Sequence, residues 1–116
     1  MKLTIIIPCY NVASFIGRAL MCLVNQSLTE MEIICVNDKS TDDTLDVLRS
    51  WEKGDLRIKV LDNKKHMGIA LAKNRGLDIA TGEYVGFMEP YDFVQTDYYE
   101  RLIKLADMMG LQVACG

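Results

Sequence analysis

Five short apolar runs alternate with four stretches in which apolar residues recur every three or four positions. Residues 3–7 form the first run. Phe15, Ile16, Ala19, Leu20, Leu23 and Val24 then repeat at helical spacing, with Ser14 standing where an N-cap would. Residues 33–36 are the second run. Ser40, Thr41, Asp42 and Asp43 follow as an acidic helix start, favourable to the helix dipole, and Leu45, Leu48 and Trp51 supply its apolar face. Gly54 and Asp55 close that helix. Residues 58–61 alternate with charges, which suits a strand near a sheet edge. Residues 68–80 form a helix rich in small side chains, able to lie close to a sheet, and Thr81 and Gly82 end it. Residues 84–88 are the fourth strand, Thr96 is placed to cap a helix running through Met109 to Gly110, and residues 111–115 are the fifth apolar run.

Strand and helix in strict alternation predict an α/β fold: a doubly wound, mainly parallel sheet joined by right-handed crossovers, with helices on both faces. In such sheets ligands bind beyond the carboxyl ends of the strands, where the strand order switches. The residues to inspect are therefore 8–11, 37–40, 62–68 and 89–92. The last run has no following element to cover it, so the chain reads as the first part of something longer.

Composition narrows this only a little. The chain has 116 residues, 50% of them hydrophobic and 25% charged, the makeup of one ordinary globular domain. A net charge of −3 offers no electrostatic reason for a nucleic-acid partner. Cys9, Cys22, Cys35 and Cys115 are scattered without metal-ligand spacing, three of them in apolar runs, which suits free thiols in a reducing compartment. The first apolar run stops at Pro8, too early for a secretory signal, and no stretch approaches the length of a membrane span. The expected location is cytoplasmic, with peripheral attachment to a membrane open to the full-length protein. Met88, Met108 and Met109 are expected in the core, and His66 in a surface loop.

Neither GxGxxG nor GxxxxGK[ST] occurs, so a dinucleotide fingerprint and a P-loop are unsupported. A phosphoacceptor domain would place acids after the first strand, where Pro8, Cys9 and Tyr10 stand instead. The strand ends carry Tyr10, Asn11, Asp38, Arg75, Glu89 and Asp92. The segments IIIPCYN, VNDKSTDDT and GIALAKNRGLDIATGEYVGF, followed by the EPYD turn, resemble in this order and spacing the family 2 glycosyltransferases of the inverting GT-A fold. The likeness runs from Leu3 to Cys115.

The resemblance implies that Pro8 and Tyr10 border the nucleobase, with the tyrosine ring stacked on it, and that Asn11 belongs to the same nucleotide-binding set. It implies that Asp38 accepts a hydrogen bond from the base, that Arg75 lies near the nucleotide, and that Glu89 and Asp92 serve the ribose and a divalent metal, Mg or Mn. A carboxylate only accepts, so Asp38 favours a base with a ring N–H, which uracil and thymine present and cytosine does not. A UDP- or dTDP-sugar donor is expected, and guanine's ring N–H keeps GDP open. The acceptor, a saccharide or lipid-linked group, and the catalytic base would lie in sequence outside this chain, and no residue here is nominated as base. The family's usual bacterial surface-polysaccharide role is an expectation only.

Two departures qualify the pattern. The family's D-S-D-D turn reads EPYD, so tyrosine stands at the usual metal position, and Asp92 would have to take over. Asn37 and Lys39 replace the usual Asp and Gly, and Lys39 occupies a place where glycine's conformational freedom would help. The residues also admit plainer roles. Tyr10 can be a half-buried ring, Asp38 a cap for the helix near Thr41, Arg75 a solvated charge, and Glu89 with Asp92 a polar turn. At the level of function, the alternatives to a transferase are a nucleotide-sugar-binding module that has lost turnover and an unrelated doubly wound regulatory domain. Residues 1–116 are expected to be the donor-binding part, inactive alone, with self-association through an uncovered apolar edge.

Overall fold

The computed structural model describes residues 1–110 and the backbone of residues 114–115. The elements follow in the order β1 (Leu3–Cys9), α1 (Ile16–Val24), β2 (Met31–Asn37), α2 (Thr44–Gly54), β3 (Ile58–Asp62), α3 (Ile69–Ile79), β4 (Tyr84–Phe87), α4 (Tyr98–Met109) and β5 (Ala114–Cys115). The strands form one sheet in the order β3-β2-β1-β4-β5, and every neighbouring pair is parallel. This is the expected doubly wound α/β sheet. The side chains of the fifth apolar run, Cys115 included, lie outside the described residues.

The chain steps from β1 to β2 to β3 in one direction, then returns past β1 to form β4 on its other side. Right-handed crossovers require a helix to change faces when the direction reverses. Accordingly α1 and α2 pack on one face, where Ile16, Ala19, Leu20, Leu23 and Leu48 meet Ile5, Ile7, Ile33 and Cys35. On the opposite face α3 lays Ala72 against Ile6, Ile34 and Val36. Tyr99, Ile103 and Ala106 of α4 join the first core. Burial on both faces explains why β2 is buried at every position and reads as a continuous apolar run rather than an alternating one. β3 lies at the edge, as its charges suggested.

Several local expectations fail. Ser14 does not cap α1: the helix begins at Ile16, Phe15 is its N-cap, and the Phe15 and Ile16 amides bond instead to the Val12 carbonyl. Thr96 does not cap α4, whose N-cap is Asp97; the Thr96 carbonyl instead accepts from Ser27, linking α1's exit to the chain before α4. Tertiary links displaced both local caps. Met88 is buried, but Met108 and Met109 at the end of α4 are exposed. β1 runs through Pro8 to Cys9, which a central strand tolerates because its pairing with β4 ends at Ile6 opposite Phe87. Gly110 ends α4 with φ 64°, the left-handed stop that favours glycine.

Two features hold α3 to the sheet. The first is Gly76, where a Cβ would lie 2.6 Å from Ile6 Cγ2. The second is Glu32, a buried acid on the α3 face of β2. Its carboxylate accepts from Thr4 Oγ1 at 2.8 Å and from the Thr81 amide at 2.9 Å, and it pairs with Lys59. Burial alone would push this carboxyl up, but the Lys59 ammonium and the Thr81 and Thr4 donors outweigh it and hold the pKa at about 2, against an ordinary 4.5.

Gly76→Ala should lift α3 from β1 and cost about 1–3 kcal/mol in urea unfolding. Gly54→Ala, where nothing lies within 4 Å, should be neutral or slightly stabilising; equal effects at both sites would refute the close-packing explanation. Because the folded pKa of Glu32 lies below its unfolded value, its stabilisation is complete above pH 4.5 and disappears as pH falls toward 2. Roughly 3 kcal/mol should be lost across that window. Glu32→Gln should remove this part of the acid slope in urea midpoints measured from pH 7 to 2.5.

Candidate nucleotide-binding cleft

The switch in strand order between β1 and β4 leaves a crevice at their carboxyl ends, closed on one side by the start of α3. A cleft of about 460 Å³ occupies it. Its lining comes from the end of β1 and the residues after it (Pro8, Cys9, Tyr10 and Val12), Asp38 after β2, His66, Gly68, Ile69, Ala72 and Lys73 around the start of α3, and Phe87 to Tyr91 at and beyond the end of β4.

Asp38 is the best-held group in the cleft. It is 3% exposed, and its carboxylate accepts from Asn63 Nδ2, the Met67 amide and the Gly68 amide, each at 2.8 Å, with His66 Nδ1 at 3.1 Å. Burial would raise its pKa, but these donors and the charge of His66 prevail and leave it below the usual carboxylate value. Asp38 therefore caps the turn into α3 rather than the start of α2, where Thr44 bonds to Asp42 instead. Gly68 enters that turn with φ 89°, which few residues other than glycine adopt.

Asn11 stands at φ 53° and acts as a clamp between loops. Its Oδ1 accepts from the Thr41 amide at 2.8 Å, and its own amide donates to Ser40 Oγ at 3.0 Å. Lys39 has φ 60°, the glycine-like conformation its position implied. Asn37 donates through Nδ2 to Asp62 Oδ1 at 3.0 Å, a contact that an aspartate there would turn into repulsion.

Pro8, Tyr10, Asp38 and Glu89 thus come together in the cleft, while Asn11, Arg75 and Asp92 do not line it. Arg75 bonds Asn63 Oδ1 and so braces, from behind, the amide that holds Asp38. Residues 89–92 form a β-turn with the Asp92 amide donating to the Glu89 carbonyl at 3.0 Å, and Pro90 at its favoured second place. Glu89 faces the cleft, and its bond with Tyr91 raises the tyrosine's pKa. Among the described residues no group of three or more His, Cys, Asp or Glu is placed to hold a metal. A single carboxylate is still compatible with a Mg or Mn ion whose other ligands are phosphate oxygens and water.

Two cleft residues were missed. Lys73 lies on the same face of α3 as Ile69 and Ala72, its ammonium 5.1 Å from the centre of the Phe87 ring. The spacing 69, 72, 73 carried that signal, since residues three and four apart share a helix face whereas Arg75 points elsewhere. His66 stands in an exposed surface loop, as expected, and from there its ring also rests against Tyr10, ring centres 4.5 Å apart.

A parallel α/β sheet with a polar-and-aromatic cleft at its switch point is the architecture of a nucleotide-binding domain. Residues 4–116 match the model of glycosyl transferase family 2, and the chain belongs to that family. It is 36% identical over 114 residues to the uncharacterized glycosyltransferase EpsJ of Bacillus subtilis (strain 168), covering 97% of this chain and 33% of the relative. The crystal structure of S. aureus TarS 1–349 in complex with UDP-GlcNAc superposes with a TM-score of 0.86 at 30% identity, over 93% of this chain and 32% of that one. The mannosyltransferase PcManGT from Pyrobaculum calidifontis, in complex with GDP-Man and Mn2+, gives a TM-score of 0.75 at 28% identity, over 79% and 28% of the two chains. The chain spans about a third of the length of these proteins. No helix among the described residues is long and apolar enough to cross a membrane.

Asp38→Ala should leave the Met67 and Gly68 amides without their acceptor. Their hydrogen exchange should accelerate by at least tenfold while amides of β1 and β2 stay protected, an opening that corresponds to more than about 1.4 kcal/mol. Unchanged exchange at both amides would show that the turn is held by something other than this carboxylate.

Proposed function

We propose that residues 1–116 are the donor-binding part of an inverting glycosyltransferase, and that the cleft holds a nucleoside-diphosphate sugar. One observation carries this reading: the cleft is lined by an aromatic ring and a carboxylate that follow β1 and β2, Tyr10 and Asp38, and by a cation and an acid on the β4 side, Lys73 over the Phe87 ring and Glu89. The first pair suits a nucleobase, through stacking on the ring and a ring N–H given to the carboxylate, which favours uracil or thymine over cytosine. The second suits a diphosphate, with the Lys73 ammonium and the amino end of α3 both attracting negative charge. UDP-GlcNAc bound to TarS and GDP-Man bound to PcManGT support a nucleotide-sugar ligand for the shared fold.

In such a transfer an acceptor oxygen attacks the anomeric carbon as the bond to the diphosphate oxygen breaks, and the acceptor's proton passes to a base. A divalent ion, which Glu89 would hold, supplies charge compensation for the departing diphosphate. Lys73 adds to that compensation from the chain itself. The acceptor and the base are assigned to protein outside residues 1–116, so this chain alone should transfer no sugar, because in-line positioning and proton removal each contribute several kcal/mol. A second reading, a nucleotide-binding module without turnover, draws on the placement of Glu89 alone in the cleft, with Asp92 outside it.

Calorimetry on the full-length gene product separates these readings. UDP should bind more tightly than CDP. Lys73→Ala should cost about 1.5–3 kcal/mol toward UDP, the scale of a hydrogen bond to a charged group, and leave uridine binding unchanged. Mn2+ should tighten UDP binding, Glu89→Gln should abolish that gain, and Asp92→Asn should preserve it. Equal affinity for UDP and CDP would sink the base assignment. Equal UDP affinity with manganese or with a chelator, and no acceptor-dependent turnover of radiolabelled UDP-sugars, would establish the module.

A further inference from the structure

Tyr10 and Asp38, the two residues assigned above to the base, are already engaged by one side chain. The His66 ring lies against Tyr10 with centres 4.5 Å apart and planes tilted by 54°. Its Nδ1 is 3.1 Å from Asp38 Oδ2 and 3.1 Å from the Asp38 carbonyl oxygen. Both neighbours are acceptors, so Nδ1 must carry a proton and donate. A flat nitrogen heterocycle lying against the tyrosine, tilted rather than stacked, and giving a ring N–H to the carboxylate uses the same two partners that a uracil, thymine or guanine would use there.

We propose that in the ligand-free protein His66 occupies the base subsite as an internal stand-in, and that a nucleotide binds by exchanging its base for the imidazole. This rests on the reading of the cleft as a nucleotide site. The contacts suit exchange. The His66 side chain is 55% exposed and Tyr10 is 46% exposed, so the imidazole keeps much of its surface in water, and of its two partners only Asp38 is buried. Departure of the ring does not dismantle the loop, because Asp38 keeps Asn63 and the Met67 and Gly68 amides. It frees one acceptor site on Oδ2, on a carboxylate whose remaining burial is still compensated. His66 then lowers the apparent nucleotide affinity in proportion to the fraction of molecules in which it fills the subsite.

The test is calorimetry with UDP and uridine on the full-length gene product, comparing the parent with His66→Ala and His66→Phe, and checking by circular dichroism that each folds. His66→Ala should bind both ligands about three- to tenfold more tightly, the scale of one hydrogen bond and one ring contact. His66→Phe, which keeps a ring for Tyr10 but cannot donate to Asp38, should fall between. In the parent, the imidazole resonances of His66 should shift on adding uridine but not pyrophosphate. Affinity unchanged or weakened in His66→Ala would overturn the proposal while leaving the nucleotide site intact, since the ring would then be a bystander or a wall of the subsite. Failure of the parent and both variants to bind UDP would instead remove the nucleotide reading itself, and this proposal with it.

Discussion

Helix α3 is held at both ends by carboxylates from a single strand. Asp38, just past the carboxyl end of β2, takes the amides of Met67 and Gly68 that lead into the helix. Glu32, near the other end of β2, takes the amide of Thr81 that leads out of it. The lengths are compatible: six residue steps from 32 to 38 span about 20 Å, and the ten helical steps of α3 from Ile69 to Ile79 span about 15 Å, with the non-helical flanks at 68 and 80–81 covering the rest. A buried carboxylate is costly unless it is fully hydrogen-bonded, and both acids reach that state only when α3 lies along the sheet in this register. Packing alone would let the helix slide, since apolar contacts are non-directional. The two acids do not allow it.

The cleft follows from that constraint. With the amino end of α3 fixed by Asp38, its first turn faces the carboxyl ends of β1 and β4, and Lys73 comes round to the same side as Ile69 and Ala72. Gly76 permits the close approach to Ile6 that lets α3 lie against the sheet. Arg75 and Asn11 contribute without facing the cleft, the one bracing Asn63 behind Asp38 and the other tying the loop after β1 to the loop after β2. The same carboxylate that organises the loop is thus the one proposed to read the base. A residue serving both ends has little freedom to change, because any substitute must satisfy the loop's donors before it can meet a ligand.

Order and kind of element, the edge position of β3, the Gly110 stop and the crevice at the strand ends were all legible in the chain. They follow from local causes: hydrophobic period, charge on a strand, a backbone conformation open chiefly to glycine, and the handedness of crossovers. Pro8, Tyr10, Asp38 and Glu89 were legible as cleft residues because they stand at or just beyond the carboxyl ends of strands, where the topology leaves little choice of position. The helix caps were not. Ser14 and Thr96 have the right side chains in the right places, but the chain around them is bound elsewhere, Val12 taking the first amides of α1 and Ser27 reaching the Thr96 carbonyl.

What needed the tertiary structure was direction and pairing. Spacing puts Lys73 on the side of Ile69 and Ala72 and Arg75 on another; only the docked helix shows that the first side faces the cleft while Arg75 turns to Asn63. An acid after a strand can cap, bind or stay solvated, and Asp38 was settled by the return of residues 63–68 from a different part of the chain. His66 was legible as loop surface, but nothing in its neighbours along the chain predicts that Tyr10, far earlier in the sequence, lies against its ring. Periodicity and turn chemistry act over a few residues and so determined the elements and their order. Hydrogen-bond partners of buried charges are chosen across the fold, and therefore only the assembled sheet and helices decided them.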